Sequence, residues 1–229
     1  DVCAAGTYAA GAETTCVACS AGTADLDSDA STPCAVCGLG QFSYGGNVSC
    51  TPCAAGRADL DTDASTRCTV CGAGTYTSGS STACDDCGAG QADLDSDAST
   101  PCDVCSPGHY AGARVMSCTP CAAGEYDHDG SAVTPCMHCS VGYFSPPTSL
   151  ECAICPAGFH DNDEDPATPC DDDAARCPVG HYADEGAHTC DACAPGLADL
   201  DGDPATPCTQ CDPGRASNVG AISCTECAM

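Results

Sequence analysis

Tryptophan is absent from these 229 residues, phenylalanine occurs three times and tyrosine seven. Lysine is missing too: the five basic residues are all arginine, against 33 acidic ones. Each shortage excludes something. A globular domain of this length would bury many large Leu, Ile, Val and Phe side chains against one another. Here they are scarce and scattered, and the 43% of hydrophobic residues is largely cysteine and alanine. A formal charge of −28 repels nucleic acid and anionic membrane surfaces, and favours cations or basic partners. No apolar run approaches the length of a membrane span, so no membrane insertion is expected within this segment. No signal peptide is visible, and Asp1 lies beside a cysteine that begins in mid-pattern, which reads as a mature chain or a fragment of a longer one.

What is abundant is cysteine, 27 residues of it. A disulfide framework is how chains without a core offset the entropy of folding. It places the chain in an oxidising compartment, secreted or at the cell surface. The competing reading is metal-bound thiolate, because Cys-x-x-Cys recurs throughout. Zinc modules collect two such pairs or add histidines, whereas these pairs run without interruption and only six histidines accompany them. Disulfides are the better reading.

The cysteines alone give the organisation. Twelve residues separate Cys3 from Cys16-x-x-Cys19, fourteen separate Cys19 from Cys34-x-x-Cys37, and the two gaps then alternate. The combined period predicts repeats over 3–36, 37–70, 71–104, 105–138, 139–176, 177–210 and a partial one over 211–229. The fifth holds a four-residue insertion within Asp171 to Arg176. Such self-similarity marks an array whose units contact their neighbours. The expected fold is small, disulfide-rich and mostly irregular, with short β-hairpins in an elongated tandem-repeat rod.

Connectivity does not follow from sequence alone. A sequential scheme, Cys3–Cys16, Cys19–Cys34 and onward to Cys211–Cys224, makes thirteen bonds and leaves Cys227 to open a next loop. It also puts the insertion between closed rings. An interlaced scheme, first to third and second to fourth, would lengthen a ring there. The sequential scheme is preferred and the interlaced one stays open.

The two half-repeats differ. Shorter loops read Cys-x-x-Gly-x-aromatic, with Tyr8, Phe42, Tyr76, Tyr110, Phe144 and Tyr182, while Ala216 breaks the pattern. The glycine suggests a turn of positive φ or a close chain approach, and the ring a local cover for the neighbouring disulfide. Longer loops keep the glycine, usually replace the aromatic with alanine, and carry Asp-x-Asp-x-Asp. These are Asp25, Asp27 and Asp29; Asp59, Asp61 and Asp63; Asp93, Asp95 and Asp97; Asp161, Asp163 and Asp165; and Asp199, Asp201 and Asp203. The fourth copy has Asp127 and Asp129, then Ser131. The loops close on Thr-Pro-Cys, save that Arg67 replaces proline in the second.

Carboxylates at i, i+2 and i+4 can converge on one hard cation, which makes these triplets candidate calcium ligands. They are not EF-hands: position six is Ala30 in the first copy rather than glycine, and position twelve is Val36 rather than Glu. The bland alternative is a solvated acidic turn. Asn47-Val48-Ser49 is a glycosylation sequon, as in a glycoprotein. His128, His138 and His160 show no ligand spacing and read as exposed polar residues. No nucleophile–base constellation or phosphate loop stands out, so an enzyme is not expected.

Cys-x-x-Gly-x-Tyr followed by Cys-x-x-Cys resembles the cysteine-rich repeats of ephrin-receptor and TNF-receptor ectodomains. The acidic loops are similar to the Asp-x-Asp-x-Asp stretches of thrombospondin-type calcium repeats. Those resemblances imply short two-stranded modules stacked into a rod, in receptors, adhesion proteins and matrix proteins. The near-identity of CSAGTADLDSDASTPC over 19–34 and CGAGQADLDSDASTPC over 87–102 favours a structural array: a stalk, an adhesin or a filament subunit that self-associates or binds protein partners. The alternative is a ligand-binding receptor ectodomain.

Overall fold

The computed structural model describes residues 3–11, 13–170 and 174–227. Among these there is no helix, and the regular structure is twelve antiparallel two-stranded sheets, each strand two residues long. The first hairpin sets the rule. Strand β1 (Thr7–Tyr8) follows the loop glycine, and β2 (Val17–Ala18) is the x-x of Cys16-x-x-Cys19. The residues between the paired cysteines are thus the return strand of every regular hairpin.

Thirteen disulfides close the loops in sequential order, with separations of 13 and 15 alternating from Cys3–Cys16 to Cys211–Cys224. The interlaced alternative is excluded, and Cys227 is free and exposed. A ring of about 15 residues gains roughly 3 kcal/mol from closure in the chain-entropy model. Tandem units of this kind, each with one hairpin and one disulfide, replace the missing core.

What core there is consists of half-cystines and small residues. Loop-opening cysteines such as Cys53, Cys87, Cys121 and Cys155 are buried, and so are Ala58, Ala92 and Ala198. A second buried position follows the aromatic of the shorter loop, filled by Ser43, Thr77, Ala111, Ser145 and Ala183. The aromatics themselves are half-buried. One small hydrophobic cluster gathers Phe144 and Phe159 around Cys155, Cys170 and Ala175.

The chain divides into two compact units. One holds Asp1–Cys105 and Ala111–Cys118, the other Ser106–Tyr110 and Thr119–Met229. Within each, a hairpin is tied to its successor by the same backbone bonds. In the first unit Ser43 N–H donates to the Ala64 carbonyl (3.0 Å), Asp59 N–H to Ser81 (2.8 Å) and Ser80 N–H to Cys53 (2.8 Å). In the second, Ser145 N–H donates to Pro166 (3.0 Å), Asp127 to Ser149 (2.9 Å) and Thr148 to Cys121 (2.9 Å).

The insertion changes one hairpin only. Asp171, Asp172 and Asp173 lie outside the described residues. After them a lone antiparallel bridge, Phe159 to Arg176, stands where the other loops have a two-residue ladder, and Cys177 N–H still reaches the Gly158 carbonyl (2.9 Å).

Gly40 shows why the shorter loop needs its glycine. Its φ is +72°, and a Cβ there would collide with the backbone carbonyl of Ser80, two hairpins ahead. Gly40→Ala is therefore expected to cost at least about 1–2 kcal/mol from the left-handed backbone alone. Hydrogen exchange at the Cys53 amide, which donates to the Gly40 carbonyl (2.8 Å), should accelerate correspondingly. Unchanged protection would show that the hairpin carrying Ser80 yields freely.

Candidate functional site: the acidic loops

The structure divides each Asp triplet into three roles. The first carboxylate turns inward. Asp25, Asp59, Asp93, Asp161 and Asp199 are buried, as is Asp127. Each accepts a hydrogen bond from the glycine N–H of the preceding shorter loop: Gly6, Gly40, Gly74, Gly142, Gly180 and Gly108 respectively, at 2.9–3.3 Å. These carboxylates pin one hairpin to the next.

The second carboxylate builds a turn. Asp27, Asp61, Asp95, Asp163 and Asp201 each accept the N–H of the third triplet residue at 2.9–3.1 Å. The residue between is left-handed: Ser28, Thr62, Ser96 and Glu164 have φ of 55–57°, and the sixth copy uses Gly202. The same carboxylates accept the hydroxyl of the threonine five residues on, as Asp27 does from Thr32 (2.8 Å) and Asp95 from Thr100 (2.9 Å). That bond gives the threonine of Thr-Pro-Cys its purpose. The third carboxylate repeats the device: Asp29, Asp63 and Asp97 accept both N–H and hydroxyl of the following serine, and Asp165 and Asp203 the N–H of Ala167 and Ala205.

Among the described residues, no triplet brings three carboxylate oxygens within 4.8 Å of one another. The second and third carboxylates lie exposed, and hydrogen bonds hold several of them below the usual aspartate range. The Asp63 amide, then the Thr66 hydroxyl, does so for Asp61. The Ser31 amide, then its hydroxyl, does so for Asp29. Asp27, Asp95, Asp129, Asp163 and Asp201 follow the same order, and for Asp97 the Ser99 hydroxyl comes first and its amide second.

The histidines separate. His128 and His138 are exposed beside Asp129 (3.7 Å) and Glu125 (3.6 Å). His160 corrects the expectation of an exposed polar residue: it is half-buried, occupying the position that is alanine in four other long loops. Arg67 replaces proline usefully, donating to the Tyr44 hydroxyl (2.6 Å) and lying 5.6 Å from its ring centre. In the sequon, the Asn47 side-chain nitrogen donates to Ser43 Oγ (3.1 Å). No protein-family model matches this chain, and no curated protein matches it.

Two measurements follow from the division of the triplet. Asp59→Ala leaves the buried Gly40 N–H without an acceptor and should cost about 1–3 kcal/mol, read as a lower guanidinium midpoint. Asp61→Ala, losing only exposed bonds, should cost less; the reverse order would defeat the assignment. A lowered folded-state pKa means stabilisation that is complete above the unfolded value and lost as pH falls through the folded one. The Asp63 amide resonance should therefore titrate below the ordinary aspartate range, and stay flat in Asp61→Asn.

Proposed function

We propose that this chain is an extracellular structural array, a stalk, adhesin or filament subunit whose job is to hold distance rather than to catalyse. The carrying observation is that the bonds joining successive hairpins recur at the same positions along each unit. A scheme built from neighbour contacts alone can be lengthened by whole repeats without redesign. The intramolecular disulfides suit an oxidising environment outside the cell. Repeats of ephrin-receptor or TNF-receptor type supply an analogy, and the uniform decoration of the loops favours a spacer over a single ligand site.

Calcium enters as a modulator of stiffness. Supporting it are the exposed second and third carboxylates, such as Asp61 with Asp63, which keep lone pairs beyond the hydrogen bonds they accept. Carbonyls and water would complete the shell, and binding would be weak, in the range of about 0.1–1 mM. The inward first carboxylates stand outside such a shell.

Small-angle scattering should give a radius of gyration well above the roughly 17 Å of a compact chain this long. A compact profile would overturn the array. Thermal stability should rise with calcium above magnesium above monovalent salt of equal ionic strength. Asp61→Asn with Asp63→Asn should remove one site by calorimetry. Stability that follows ionic strength alone would reduce the triplets to solvated turns and leave the array standing.

A further inference from the structure

Within the second unit, the residues around the insertion depart together from the repeat. Phe159 covers Cys155 and Cys170. His160 stands where Ala24, Ala58, Ala92 and Ala198 stand elsewhere. Its Nδ1 lies 2.7 Å from the Ala175 carbonyl and 3.2 Å from Cys190 Sγ, whose disulfide partner is Cys177. Ligand atoms of His160, Cys177 and Cys190 all fall within 4.8 Å of one another, the one group of three metal-ligating side chains among the described residues that does so. Cys177 is 4% exposed, and the other two are half-buried.

We propose that Cys177–Cys190 is a redox-gated metal site: it opens before the other disulfides, and its two sulfurs then hold a soft divalent cation such as Zn2+ together with His160. In the oxidised protein the sulfurs bond to each other and no site exists. A dithiol reductant supplies two electrons and two protons. The S–S bond breaks, two thiols form, and the reductant closes to its own disulfide. Binding Zn2+ then releases the two thiol protons, while the imidazole proton moves from Nδ1 to Nε2 and leaves Nδ1 free to ligate. The product, two thiolates and a neutral imidazole on Zn2+, carries no net charge and keeps a fourth position for water.

Geometry favours this set. Sulfur and nitrogen ligands on one tetrahedral zinc sit about 3.5–3.8 Å apart. Nδ1 is already close to that distance from Cys190 Sγ, so the main movement is parting the two sulfurs from about 2 Å. Two features make this bond the first to open. The imidazole N–H beside Cys190 can donate to the thiolate that develops as the bond breaks, which speeds departure of that sulfur. The adjoining hairpin, reduced to the single Phe159–Arg176 bridge, resists the movement least.

The test uses the whole chain. One molar equivalent of dithiothreitol, followed by alkylation and peptide mass spectrometry, should label Cys177 and Cys190 ahead of every other paired cysteine. Labelling spread over the disulfides would overturn the proposal. Without alkylation, the same sample titrated with Co2+ should show thiolate-to-cobalt charge transfer saturating at one equivalent. His160→Ala borrows the residue that four other loops carry, so it should fold. It should open this disulfide more slowly than the native chain does and lose at least about tenfold in Co2+ affinity, a loss typical even for a supporting partner of a ligand. His160→Gln, closer in size, should behave likewise. Cobalt binding unchanged in both variants, or absent from the reduced protein, would leave a histidine merely packed on a disulfide and sink the proposal.

Discussion

A covalent ring of about fifteen residues, closed at the base of a two-residue hairpin, is the constraint from which everything else here follows. Two-residue ladders do not hold a chain in water, and an isolated hairpin is marginal even when longer. With the base of each loop fixed by a disulfide, the loop tips are presented in repeatable positions. Weak bonds between neighbouring hairpins then suffice. Small residues such as Ser43, Thr77 and Ala111 at the contact let the backbones approach. The aspartates supply carboxylate acceptors for backbone N–H groups between and within the loops.

Within that frame, negative charge does structural work. A carboxylate such as Asp59 is buried with a backbone N–H rather than with a cation. Asp61 and Asp63 stay at the surface and organise turns in a left-handed conformation that most residues avoid. The acidity of the chain is therefore partly a by-product of turn building, and not only a device for solubility.

Cysteine spacing made the repeat, its two loop lengths and the place of the insertion legible in advance, because the pattern is local and periodic; it favoured the sequential pairing without excluding the interlaced one. The division of labour within Asp25, Asp27 and Asp29 was not, since the i, i+2, i+4 spacing says nothing about which carboxylate faces a glycine nineteen residues earlier. One signal was present and passed over: a threonine always five residues after the second aspartate. The burial of His160 was hidden in the same way. The residues that follow it are acidic and polar, and the column of alanines at the equivalent position marks that site as interior.

Sequential rings also set how far the molecule can be pulled. Under tension a disulfide short-circuits its loop, so the load passes across the 5.6 Å between Cα atoms of Cys3 and Cys16 rather than around the residues between them. Only the three-bond links such as Cys16 to Cys19 can straighten, each to roughly 10 Å. A 34-residue repeat that would otherwise reach more than about 110 Å then stops near 30 Å. Oxidation therefore cuts the reach of each repeat more than threefold.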